Sequence, residues 1–289
     1  MLAKPEVFEF LTRSAAPCAR LVSEVTESPE SQAAVTALKD EARRAGIDME
    51  GDAFERALLR SAAAEFEPRI ESLPIHESVR KLLADEYRFY TGPSRGTPLE
   101  TGSYLFVTAC KTISLRRFPA GPMDWEVSGF PRSWLLKASK LDLPRLAWFL
   151  AARTGGFRPM FFMHVARRPK NRGLLLEKEV LKAYYRMARS LELQPSIKAI
   201  LASAWFHDPA AVSENPHLEW LNRPYLKEGG IIVTAGPAPA DAGFMEHNAD
   251  RKQQFESGRL QYQLAVALWP RSAAIDWARR HPELEGAIQ

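Results

Sequence analysis

Residues 164–189, HVARRPKNRGLLLEKEVLKAYYRMAR, place Arg167, Arg168, Lys170, Asn171, Arg172 and Gly173 between an apolar run and a helical pattern. The first N–H groups of a helix lack intrahelical partners, and the helix dipole adds partial positive charge there. A loop containing Gly lets the backbone approach an anion, and flanking cations strengthen the field. The junction therefore has the chemistry of a phosphate seat, with a plain basic surface loop as the alternative. The charge balance points the same way: residues 151–190 hold 10 basic and 2 acidic side chains, whereas residues 1–90 hold 12 basic and 17 acidic ones. Such clustering attracts anions without saying which.

Other residues suit proton transfer. His207 precedes Asp208 at the end of a predicted strand, where the two could form an acid/base pair or simply begin a turn at Asp208-Pro209. His164 lies on the apolar run MFFMHV, sharing a strand face with Phe162. Glu126 in MDWEVSGF falls on the face opposite Trp125 and Val127. His217 and His247 are isolated, and no His, Cys, Asp or Glu cluster has zinc-type spacing, so no metal is expected. There is no serine nucleophile elbow, P-loop or dinucleotide fingerprint. Cys18 and Cys110 are far apart and no secretory start is evident, so a cytoplasmic protein with free thiols is expected. No apolar run approaches the roughly 20 residues a membrane span needs.

The elements that must position these residues fall into two regions. Residues 1–90 read as helices. Phe8, Leu11, Ala15, Cys18, Val22 and Val25 form one apolar stripe; Ser28-Pro29 opens a second helix that Gly46 stops. Asp52 and Glu55 resemble a capping box for a third helix, and a fourth covers about 75–89. The Gly/Pro-rich stretch 91–102 marks a domain boundary, with the second domain at 100–289. YLFVTACKTISLRRF, from Tyr104, is rich in β-branched and aromatic residues and predicts one bent strand or two, paired with MDWEVSGF as a hairpin. Beyond it come helices over 133–152, then strand 160–165, helix 174–192, strand 197–206, helix 216–228, strand 231–236, helix 243–257, strand 262–269 and helix 271–280. This alternation predicts an α/β domain, a mixed sheet flanked by helices, after a helical N-terminal region.

Within that order the basic junction resembles the GNAT superfamily of acyl-CoA N-acyltransferases. That family carries Gln/Arg-x-x-Gly-x-Gly/Ala at a strand-to-helix junction, and its backbone amides hold the coenzyme A diphosphate. Arg168 and Gly173 match the outer slots, and Asn171 stands where the family has its middle Gly. Asn is the commonest non-Gly visitor to the left-handed region. Downstream, Asn215 and then YLKEGGIIV resemble the family's Asn, helix, Tyr-x-x-x-Gly, strand pattern, with Tyr225 four residues before Gly229 and ten after Asn215. The resemblance covers about residues 160–235. It implies a GNAT-like sheet with the thioester between two splayed central strands and acyl-CoA as co-substrate. Arg168, Asn171, Arg172 and Gly173 would hold the diphosphate, Tyr225 would protonate the leaving thiolate, and His207 would take the amine proton.

The function expected from this is transfer of an acyl group from acyl-CoA to a small-molecule or peptide amine. A catalytically inactive GNAT-like scaffold is one alternative. A nucleic-acid binder using residues 151–190 is another, weakened because Tyr184 and Tyr185 are not interleaved with the cations as a stacking platform requires.

Overall fold

The computed structural model describes residues 5–13, 18–47, 50–93, 98–166, 176–237, 249–259 and 261–285. The chain divides into two compact units, one of residues 1–124 with 165–174, the other of 125–164 with 175–289.

The first unit is mainly helical: α1 (Pro5–Arg13), α2 (Cys18–Glu24), α3 (Pro29–Arg44), α4 (Ala53–Phe66), α5 (Glu77–Thr91) and α6 (Tyr104–Ile113). Ser28 caps α3 by accepting from the Ser31 amide, with Pro29 in the first turn, as its sequence predicts. α4 is the core of the unit, with Phe54, Ala57, Leu58, Leu59 and Ala62 wholly buried. The expected capping box at its start is instead a buried ionic network. Asp52 accepts from Arg56 at 2.8 Å and from the Leu99 amide at 3.0 Å. Glu55 accepts from Lys39 at 2.5 Å and from the Thr101 hydroxyl at 2.7 Å. Asp52 thus serves a donor one turn along α4 and one from residue 99, and Glu55 serves donors from outside the helix, instead of the helix end.

Residues 104–113 correct the strand expectation, because they form α6. The Ser103 hydroxyl accepts from the Phe106 amide at 3.1 Å, and Phe106, Cys110 and Ile113 bury one helical face. Capping and core burial here outweigh the β-propensity of Val107, Thr108, Thr112 and Ile113. Only β1 (Arg117–Pro119) and β2 (Met123–Ser128) form the predicted hairpin, closed by the Ala120 amide donating to the Met123 carbonyl. Ser103→Ala is expected to destabilise the protein by about 1 kcal/mol, read from urea unfolding.

The second unit is α/β. It contains α7 (Arg132–Lys137), α8 (Asp142–Arg153), β3 (Met160–Val165), α9 (Glu177–Glu192), β4 (Ala199–Ala204), α10 (Pro209–Glu214), α11 (Glu219–Lys227), β5 (Ile231–Pro237), α12 (Ala249–Glu256), β6 (Gln263–Pro270) and α13 (Arg271–Arg280). The strands of this unit follow the order β2-β3-β4-β6-β5 in a mixed sheet. β3 and β4 are parallel, joined through α9; β6 runs antiparallel to both β4 and β5.

Strand alternation sends side chains to two covered faces. On one face Met160, Ala199, Leu201, Val233, Val266 and Leu268 pack with Leu146, Phe149 and Leu150 of α8. On the other, Trp269 meets Tyr184 of α9, Tyr225 of α11 and Trp277 of α13. Arg271 ties the end of α9 to the sheet by donating to the Leu191 and Gln194 carbonyls, a cationic cap on the negative end of the helix.

Candidate functional site

His164 lies near the end of β3 and His207 in the turn that follows β4. The register pairs of β3 and β4 are Phe161 with Ile200, Phe162 with Leu201 and Met163 with Ala202, and pairing between the two strands ends there. β4 nevertheless stays with β6 through Ser203–Val266 and Ala204–Ala265. The register between the two parallel strands thus stops at Met163 and Ala202, while the strands themselves continue to Val165 and Ala204. Burial changes at the same step: Met163 and Ala202 are buried, whereas His164, Ser203, Ala204 and Trp205 are half-buried. A fork between parallel strands brings backbone polar groups and side chains of both to one opening.

Two side chains meet on one face of this fork. His164 Nε2 lies 3.5 Å from Glu126 Oε1 of the neighbouring β2, with both side chains partly exposed. Period-two alternation puts Glu126 opposite to Trp125, whose ring lies 5.3 Å from Phe161 on the other face. Phe162 flanks the imidazole, ring centroids 4.5 Å apart, and Trp134 of α7 packs in turn on Phe162 at 5.8 Å. The carboxylate thus stands within ion-pair reach of the imidazole.

His207 and Tyr225, which the sequence nominates separately, also come together, but inside the protein. Both are wholly buried, with ring centroids 5.4 Å apart. His207 sits in the short turn after β4, and Tyr225 on α11 just after Pro224. The Asn222 amide donates to the Phe206 carbonyl at 3.4 Å, which turns its oxygen toward His207. His207 Nδ1–H then donates to Asn222 Oδ1 at 2.5 Å, leaving Nε2 as a lone pair with no hydrogen bond among the described residues. Burial pushes the His207 pKa down to about 4, against the smaller opposing effect of the Asn222 hydrogen bond. The imidazole is neutral at pH 7.

Burial likewise raises the Tyr225 pKa well above its ordinary value, reinforced by Tyr184. Its hydroxyl makes no hydrogen bond of ordinary geometry, although the Tyr184 hydroxyl is near enough to interact with it. Tyr184 itself donates to the Leu221 carbonyl at 3.3 Å.

Asp208 does not pair with His207. It caps α10, accepting from the Ala210 amide at 3.1 Å, and its other oxygen accepts from the Gln263 amide at 2.7 Å. Asn215 is buried, its side-chain amide donating to the Ala211 carbonyl at 2.9 Å. Arg168, Asn171, Arg172 and Gly173 lie outside the described residues. Among the described residues no His, Cys, Asp and Glu grouping could hold a metal ion, and no helix is long and apolar enough to cross a membrane.

The neutral, buried state of His207 has a measurable consequence. In the unfolded chain a histidine titrates near 6.5, so between pH 6.5 and 4 the unfolded state binds more protons than the folded one. Stability is then fully present above pH 6.5 and falls as the solution is acidified. This side chain contributes a loss of about 2 kcal/mol between pH 7 and pH 5. Urea unfolding at the two pH values is expected to show that much less acid sensitivity in His207→Gln than in the parent.

The pairing of His164 with Glu126 depends on how β2 and β3 align, and Asn222 acts on His207 from a different helix. Strand periodicity supplies faces but not neighbours, so neither contact has a signal in the sequence.

No protein-family model matches the chain, and no curated protein sequence does. Among solved structures, an acyltransferase in complex with decanoyl-CoA overlaps it with a TM-score of 0.39 and 13% identity, over 91% of this chain and 74% of that one. An acyltransferase in complex with decanoyl-CoA and teicoplanin gives 0.36 and 14%, over 82% and 63%. A third, with CoA and 10C-teicoplanin, gives 0.37 and 13% over the same shares. The chain spans about 63% of the length of the teicoplanin-bound proteins. These are loose overlaps.

Proposed function

We propose that the protein is an acyl-CoA-dependent N-acyltransferase that acylates a small-molecule or peptide amine. The observation that carries this reading is the end of the β3–β4 pairing, short of the strand ends, beside the His164–Glu126 pair. The GNAT-like resemblance calls for such a gap between parallel strands to receive the thioester, immediately before the basic junction that binds diphosphate. Arg168, Asn171, Arg172 and Gly173 are proposed for that second task, on the sequence alone.

The chemistry follows from the side chains at the fork. The neutral amine attacks the thioester carbonyl carbon, forming the C–N bond as the C–S bond breaks. Backbone amides along the opened strands are the donors suited to the oxygen on which charge develops. We assign the amine proton to His164 rather than His207. His164 is partly exposed and has Glu126 to stabilise its imidazolium, whereas His207 is buried and weakly basic. His207 and Asn222 then serve as a fixed wall beside Tyr225. Tyr225 is as fully buried as His207 and keeps its proton across the working pH range, so it is not assigned the proton of the departing thiolate, which solvent supplies.

Isothermal titration with acetyl-CoA and longer acyl-CoAs tests the first requirement, and release of free thiol on adding amine panels tests the second. Saturable binding with thiol release is expected. No heat and no thermal shift at about millimolar acyl-CoA would remove the enzyme reading, while binding without turnover across a broad panel would point to an inactive scaffold.

A further inference from the structure

α8 is apolar on two opposite sides. Leu146, Phe149 and Leu150 face the sheet and are buried. On the far side of the helix, at the same three- and four-residue spacing, stand Leu141, Pro144, Trp148 and Ala152, all exposed. Leu141 is 91% exposed and Trp148 63% exposed; Leu136 on the adjoining α7 is 90% exposed. A helix that needs only one buried face ordinarily carries polar residues on the other, so three large apolar side chains standing in water mark a surface that something covers.

The charges around them state what that is. Residues 132–153 contain five basic side chains and one acidic one. Lys137, Lys140 and Arg145 are exposed among the apolar residues, with Arg145 near enough to Asp142 to help hold its carboxyl below the usual range. The single acid, Asp142, is half-buried and engaged, accepting from the Ser139 hydroxyl at 3.0 Å and the Thr234 hydroxyl at 2.8 Å. That bond also fastens the α7–α8 corner to β5, so the face is presented on a fixed element. Apolar side chains including a Trp, ringed by cations that outnumber the one acid, match the boundary of an anionic bilayer, where indole and leucine enter the acyl region and lysine and arginine meet phosphates.

We propose that the outward face of α7 and α8 docks on anionic phospholipid membranes. A protein partner with an apolar patch lacks the continuous negative field that the three cations call for. The proposal does not depend on acyl transfer.

Cosedimentation of the full chain with vesicles is the test. Vesicles of phosphatidylcholine with about 30% phosphatidylglycerol should pellet the protein, and phosphatidylcholine alone should not. The variant Leu141→Ser/Trp148→Ser should lower partitioning about tenfold. Lys137→Glu/Lys140→Glu/Arg145→Glu should lower it at least about tenfold. All five positions are exposed, so both variants should unfold at the parent temperature. Equal binding to neutral vesicles, no binding, or binding unchanged in the variants would overturn the proposal. So would concentration-dependent dimerisation that Trp148→Ser abolishes, since a second copy would then be the occupant.

Discussion

Glu126→Gln is expected to lower kcat for amine acylation by about 10²–10³-fold, with KM for acyl-CoA within about twofold of the parent. Glu126 sits 3.5 Å from the imidazole it supports and acts only as that imidazole gains charge. Its loss therefore weakens the transition state more than the bound ground state. Removing the imidazole in His164→Ala should cost the same or more, and the double variant should be little worse than the single, because the two act as a unit. The parent rate should fall on acidification as the base is protonated, and His164→Ala should lack that limb. His207→Gln is the comparison: it should keep the limb, because that imidazole is already neutral throughout the range used. Steady-state kinetics of thiol release over pH reads all of these, and an unaltered pH profile in His164→Ala would move the base elsewhere.

Gly230→Ala is expected to destabilise the protein by about 3 kcal/mol or more. A Cβ at this position would lie 2.6 Å from the Leu268 carbonyl oxygen, 2.8 Å from the Tyr225 carbonyl oxygen and 2.9 Å from the Tyr225 Cα. All three are backbone atoms of packed elements, so none can swing aside. Relief requires α11 to lift from β6, which also displaces Tyr225 from Tyr184 and Trp269. Gly229 next to it has a different reason to be glycine: its φ of +79° lies in the left-handed region, and a Cβ there would meet nothing closer than 3.5 Å. Gly229→Ala should therefore cost only about 1 kcal/mol. Urea unfolding of the pair separates contact from conformation. Equal effects would show that the α11–β5 junction yields more easily than its packing implies.

The α/β succession from β3 to α13 is legible in the sequence because each element carries its own period and its own stop. α13 matches its predicted residues, and Ser28-Pro29 opens α3 as expected. Legibility fails where long-range contacts reassign local signals. The Val/Thr/Ile content of residues 104–113 resembles a strand, yet burial of Phe106, Cys110 and Ile113 behind the Ser103 cap makes a helix. Asp52 and Glu55 have capping-box spacing, but their carboxylates are taken by Arg56, Lys39 and Thr101. At the site, strand periodicity gives the faces of His164 and Glu126 without revealing that they are neighbours. The Tyr-x-x-x-Gly spacing locates Tyr225 without revealing that it lies against His207.

The most direct test of the fork is a crystal structure with a non-cleavable thioether analogue of an acyl-CoA. The acyl-bearing sulfur is expected between the ends of β3 and β4, with the adjoining carbon within reach of His164. An analogue seated away from those strand ends, or β3 and β4 zipped together beyond Met163 and Ala202, would contradict the account.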